Sequence, residues 1–269
     1  MVALRSLATI CGFVVATSAV ADEKRDWDLT IGVATAYAPD YSGATATSFR
    51  LIVWADGALK TQELGTVNLD SGSLTVAPEV RWDLVDSREA SIGPLIGYRS
   101  GRNDKNPEFA DATDGNGAPR GLPNVSSAFD AGIAGHVTVL GVPFFAQLRS
   151  ALSGPQGALA ILGVYLPVEP APDVELTILP TVTWANARQM RAFYGVSTTA
   201  SAASGLEAYN PGGGWENAAI EIATDWHVSG GWHVIGSVAF QRLLGNAARS
   251  PIVSTANQTS ALLGVAFQF

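Results

Sequence analysis

The residues best equipped for chemistry are few and poorly placed for it. There are three histidines, His136, His227 and His233, and a single cysteine, Cys11. His227 and His233 flank the short turn 229–231, so adjacent strands would bring their rings together. Asp225 is the only third group at hand, and a zinc centre needs at least three protein ligands. His136 shares a face with Asp130, but no serine is placed by spacing to complete a Ser-His-acid set. Gly212-Gly213-Gly214 precedes a strand, whereas a phosphate cradle opens a helix. Asp104, Asp111 and Asp114 lack EF-hand spacing. These patterns argue against an enzyme, a cofactor and a metal.

A second set of polar residues is more regular. Glu79, Arg81 and Asp83, then Arg99, Asp130, Gln147 and Arg149, Glu175, Glu221 and Asp225, and Gln241 fall at alternate positions of segments whose other face is apolar. Residues 73–84 set Leu74, Val76, Val80, Trp82 and Leu84 against Thr75, Glu79, Arg81 and Asp83. Residues 27–37, 126–139 and 215–228 alternate in the same way. Period two is a strand signal, and no period of 3.6 competes with it. Charges of both signs on one face read in two ways: a network of ion pairs filling a narrow interior, or the wall of a water-filled pore.

The elements that must position these residues follow from the start of the chain. Arg5, the apolar run Leu7 to Val15 and the small-x-small site Ala19-Val20-Ala21 form a secretory signal pattern too short to span a bilayer as a helix. Cleavage is expected after Ala21, leaving 22–269 as one domain. Cys11 falls inside the signal, and Ile10 is too bulky to precede a lipidated cysteine, so the mature chain has no thiol or disulfide chemistry. The 16 basic and 24 acidic residues exclude nucleic acid as a partner by simple repulsion. Only 15% of residues are charged, and the mean hydropathy is +0.20, yet no apolar run after the signal is long enough for a membrane helix. Strands with one face toward lipid reconcile these facts.

Segments of strand length lie near 27–37, 47–56, 58–69, 73–85, 89–101, 125–139, 142–153, 157–168, 173–185, 214–228, 232–245 and 258–269. Short connections, among them Asp56-Gly57 and Ser229-Gly230-Gly231, alternate with longer ones at 38–47, 102–124, 186–213 and 246–257. The expected fold is therefore all-β: a transmembrane antiparallel up-and-down β-barrel of about twelve strands in the Gram-negative outer membrane, both termini on the periplasmic side. Trp27, Tyr37, Tyr98, Trp184, Trp215 and Trp232 suit interfacial girdles in contact with outer-membrane lipid. Facing hydrocarbon at mid-depth, Arg or Lys would cost about 2–4 kcal/mol, so the charges belong inside. The last strand ends in Phe267 and Phe269, a terminus of the kind the barrel-assembly machinery reads. The 186–213 connection carries Phe193, Tyr194, Leu206 and Tyr209, apolar enough to fold back as a cap or to meet a partner.

Several segments resemble the MipA/OmpV family: RAFYGVSTTASAASGLEAYNPGGGWENAAI (191–220), RLLGNAARSPIV (242–253), SIGPLIGYRSGR (91–102), IGVATAYAPDYSG (31–43) and the terminal GVAFQF. The resemblance covers essentially the whole mature chain. It departs at Asn246, where the family pattern leads one to expect Asp. The resemblance implies an outer-membrane barrel without enzymatic activity, acting as an envelope scaffold that joins a lytic transglycosylase to a murein synthase. A small-solute channel or a surface adhesin is the alternative.

Overall fold

The computed structural model describes residues 26–61, 65–87, 89–102 and 121–269. The expected signal peptide, 1–21, and Asp104, Asp111 and Asp114 lie outside them.

Twelve antiparallel strands form the wall. They are β1 (Trp27–Pro39), β2 (Thr47–Thr61), β3 (Gly65–Asp70), β4 (Glu79–Asp83, resuming over Val85–Asp86), β5 (Ala90–Arg99) and β6 (Ala128–Val139). There follow β7 (Val142–Ala151), β8 (Ala158–Val164, continuing as Leu166–Ala171), β9 (Val174–Ala185), β10 (Gly214–Ser229), β11 (Trp232–Leu243) and β12 (Asn257–Gln268). Each pairs with the next, and β12 pairs with β1 from Thr30↔Gln268 to Tyr37↔Ala261, which closes the barrel. Closure leaves no edge at that seam and satisfies the backbone where water is absent.

The alternation is inside-out relative to a water-soluble sandwich. On β6, Phe129, Ile133, Val137 and Val139 are exposed while Ala128, Asp130 and Ala134 are buried. On β7, Phe144 and Leu148 face out, and Phe145, Gln147 and Arg149 face in. Trp27, Tyr37, Tyr98, Trp184, Trp215 and Trp232 are all exposed on the outer wall. Among the described residues no helix is long and apolar enough to cross a membrane; the strands make the crossing.

Three expectations are corrected. The strand count holds, but Asp56-Gly57 is not a turn. β2 runs on to Thr61, with Gly57 paired to Leu29 and Leu69. A Cβ there would sit 2.6 Å from the Asp28 carbonyl oxygen, so the glycine serves close strand approach. Residues 71–78 are not strand either, and Leu74 and Val76 do not face lipid; the chain leaves the wall after Asp70 and turns into the lumen. The 186–213 connection, read as plain loop, contains α1 (Ala187–Tyr194) and α2 (Thr198–Ser204). Asn186 and Ser197 cap them by accepting hydrogen bonds from the Gln189 and Ala200 amides. Eight and seven residues are too few to show a helical period. A third short helix, α3 (Gly245–Ala248), follows β11.

Candidate functional site

The inward polar residues divide into three groups at different depths. The largest is built on β4 to β7. Arg149 Nε lies 2.9 Å from Asp130 Oδ2 and its Nη2 lies 3.0 Å from Oδ1, a two-pronged pair. Its Nη1 reaches Glu79 Oε2 at 3.2 Å and the Ala77 carbonyl at 3.1 Å, and Nη2 reaches the Pro78 carbonyl at 3.2 Å. Arg99 Nε shares Asp130 at 2.9 Å. Arg81 Nε bonds Asp83 at 2.7 Å, and Arg81 Nη1 lies 3.7 Å from Glu79. All six side chains are buried. Gly97 on β5 makes room: a Cβ there would collide with the Arg149 guanidinium. The arrangement ties β4, β6, β7 and the end of segment 71–78 to Arg149, and Arg99 of β5 joins it through Asp130.

Glu221 stands apart, on β10 across the lumen. Its carboxylate accepts from the Leu74 and Thr75 amides at 3.2 Å each, and from Thr75 Oγ1 at 2.9 Å. The segment 71–78 is therefore strung across the interior, held by Arg149 on one wall and Glu221 on the other. Val76 completes an apolar cluster with Phe145, Ile161, Tyr165 and Leu179. Beside it, Asp70, Ser73, Tyr165 and Glu221 line a cavity of about 30 Å³, room for a water rather than a solute. A second inward cluster, Ala34, Trp54, Ile235 and Ala266, packs the lumen between β1, β2, β11 and β12.

Asp225 belongs to neither group. It accepts from His233 Nδ1 at 2.6 Å near the periplasmic end, where the rings of His227 and His233 stand 5.2 Å apart. The two histidines do meet as their spacing suggested, but among the described residues no group of three ligands able to hold a metal exists. His136 is not beside Asp130. Five residues of extended chain separate them, and its Nδ1 bonds Ser91 Oγ at 2.7 Å.

Above the lumen the extracellular segments fold over the mouth. Phe193, Tyr194, Leu206 and Tyr209 are placed in this cap. Tyr194 and Met190 of α1 pack with Ala185, Leu243 and Ala247, with Phe193 against them. Leu206 and Tyr209 pack on Leu122, Val196, Ala200 and Ile252. The Tyr194 hydroxyl donates to Glu216 Oε1 at 2.9 Å and meets Ser42 Oγ at 2.9 Å, and its carbonyl accepts from Ser250 Oγ at 2.7 Å. Burial first, and then the Glu216 carboxylate, push the Tyr194 phenol well above its ordinary range, so it remains a donor. Asn246 donates to the Gly212 carbonyl at 3.2 Å, which an aspartate in its place would not do.

Sequence reasoning missed Glu216, Asp70 and Asp56. Glu216 is the extra residue of a bulge, Trp215 pairing with Trp184 and Asn217 with Thr183, so simple alternation puts it on the wrong side. Asp56 and Asp70 are both buried; the first was hidden by reading Asp56-Gly57 as a turn, the second by falling between the expected strands 58–69 and 73–85. At the other end of the chain, Phe267 and Phe269 form an outer-wall aromatic group with Trp232, with ring centroids 5.0–5.1 Å apart. The Phe269 amide donates to the Leu29 carbonyl at 3.0 Å, beside the closing seam.

The family model described as MltA-interacting protein MipA matches residues 31–269. The MltA-interacting proteins of Escherichia coli (strain K12) and Shigella flexneri are each 32% identical over 96 residues, 35% of this chain and 38% of theirs. The chain thus spans 38% of the length of these curated relatives. Among solved structures, the NanC porin gives a TM-score of 0.45 at 11% identity, over 88% of this chain and 98% of that one. The anion-selective porin from Comamonas acidovorans gives 0.40 at 9%, over 90% and 98%.

Proposed function

The chain belongs to the MltA-interacting protein MipA family, and from that membership we propose that it is a non-enzymatic scaffold of the envelope, holding an MltA-type lytic transglycosylase, and with it a murein synthase, at the outer membrane. The barrel itself lies in the outer membrane. The observation that carries the proposal is the filled lumen. Segment 71–78 crosses it, Arg149 and Glu221 hold that segment from opposite walls, and the cap packs above. An interior spent on internal pairs leaves binding to the surfaces, which is what a scaffold needs.

The test is direct association. The purified barrel, reconstituted in lipid, is expected to retain a purified MltA-type transglycosylase on a column and in a two-component binding titration. No retention at high concentrations of both proteins would remove the scaffold reading. Steady solute conductance in planar bilayers would replace it with a channel.

A further inference from the structure

The cap and segment 71–78 each have an apolar cluster, one under α1 and one around Val76, and among the described residues the two clusters share no member. A line of buried polar side chains runs between them. It begins on α1, where Gln189 Oε1 accepts from the Gly157 amide at 2.9 Å and from Arg99 Nη1 at 3.3 Å. Arg99 Nη2 donates to the Gly157 carbonyl at 2.7 Å, while its Nε lies 2.9 Å from Asp130 Oδ2. Both Asp130 oxygens then meet Arg149, which donates to the Ala77 and Pro78 carbonyls of the segment.

Gln189, Arg99, Asp130 and Arg149 are all buried. Water offers them no easy substitute, so a bond broken at one end of the line leaves a group unsatisfied at the next. Arg99 is the joint. Its guanidinium is a planar fork with one edge toward the cap and its Nε toward Asp130, and a rigid fork cannot follow one neighbour without leaving the other. Gly157 sets how closely α1 settles on that joint. A Cβ there would collide with Asn186 Oδ1 and sit 2.5 Å from the Gln189 amide nitrogen, driving the start of the helix away.

We infer that α1 and segment 71–78 form a single latch across the lumen, coupled through Arg99, so that lifting the cap frees the segment and freeing the segment loosens the cap. Coupling is a free energy shared by two sites, and it acts equally in both directions. A second route exists along the wall: β10 carries Glu216 against Tyr194 and Glu221 against Thr75. That strand is paired on both sides and has little freedom to relay a change. The latch rests on these contacts alone and does not depend on the scaffold reading.

Hydrogen exchange of the purified barrel in lipid nanodiscs tests it from both ends. Gly157→Ala touches only the cap side. It should lower the protection factors of the Met190 and Gly195 amides and, with them, those of Leu74 and Thr75, by about ten-fold. Glu221→Ala releases the segment and should lower protection at Met190 and Gly195 in turn. Arg99→Lys keeps a cation beside Asp130 but not the fork. In that background Gly157→Ala should loosen α1 alone, and Glu221→Ala the segment alone. The inference is overturned if Leu74 and Thr75 ignore Gly157→Ala, or if Met190 and Gly195 ignore Glu221→Ala. It is also overturned if either distant effect survives in Arg99→Lys, which would assign the coupling to the wall. Should Gly157→Ala fail to assemble, the Glu221→Ala arm decides alone.

Discussion

Arg149 meets two carboxylates and two backbone carbonyls while fully buried, and this makes it the side chain whose loss costs most. Arg149→Met removes the cation that Asp130 and Glu79 share and leaves two buried carboxylates with only Arg99 and Arg81 beside them, a loss of a buried pair expected to cost about 3 kcal/mol. A lower urea midpoint for the reconstituted barrel measures it, and an unchanged midpoint would contradict the role given to the pair. Gly97→Ala is expected to act in the same direction by pushing the guanidinium away. Tyr194 supplies a pH dependence. Its phenol is raised above 10, so the stabilisation from its bond to Glu216 is whole below the ordinary tyrosine value. That contribution is lost as pH rises through the folded value. The protection factors of the α1 amides, with the intrinsic base-catalysed rate divided out, should fall at high pH in the parent. Tyr194→Phe should show no such fall and be looser already at neutral pH, by about 1–3 kcal/mol for the unpaired Glu216.

Segment 71–78 acts as an element although it has no regular structure. A free loop of eight residues would be soft, but three hydrogen bonds to Glu221 and two to Arg149 pin both ends of its path. Glu221→Ala removes one anchor without touching the wall ladder, since the backbone of β10 remains paired to β9 and β11. Faster exchange at the Leu74 to Val76 amides is the expected result, together with unchanged strand content by circular dichroism. If those amides stay as slow as in the parent, the segment is held by packing around Val76 and not by the carboxylate.

At the scale of the whole molecule, closure between β1 and β12 is the step that completes the barrel, and Phe269 sits beside it. We propose that Phe267 and Phe269 form the assembly signal; removing Phe269 should slow insertion in a reconstituted barrel-assembly assay, with the heat-modifiable folded band appearing later than for the parent. Patterning alone reached the membrane barrel, the twelve strands and the inward face of Glu79, Arg81, Asp83, Arg99, Asp130, Arg149, Glu221 and Asp225. It did so because hydrocarbon penalises charge and a strand has a period of two, and both constraints are local. What sequence could not decide is which of those inward residues meet. Arg149 and Asp130 are paired by register between neighbouring strands, Glu221 by a segment arriving from 146 positions away, and Asp225 by a histidine across a turn. Local pattern also misplaced Asp56-Gly57 and 73–78, because glycine serves close strand approach as well as turns, and because an apolar side chain is stabilised equally by lipid outside and by a filled lumen within. Only the closed structure, in which opposite walls come within reach of one another, decides between those two surroundings.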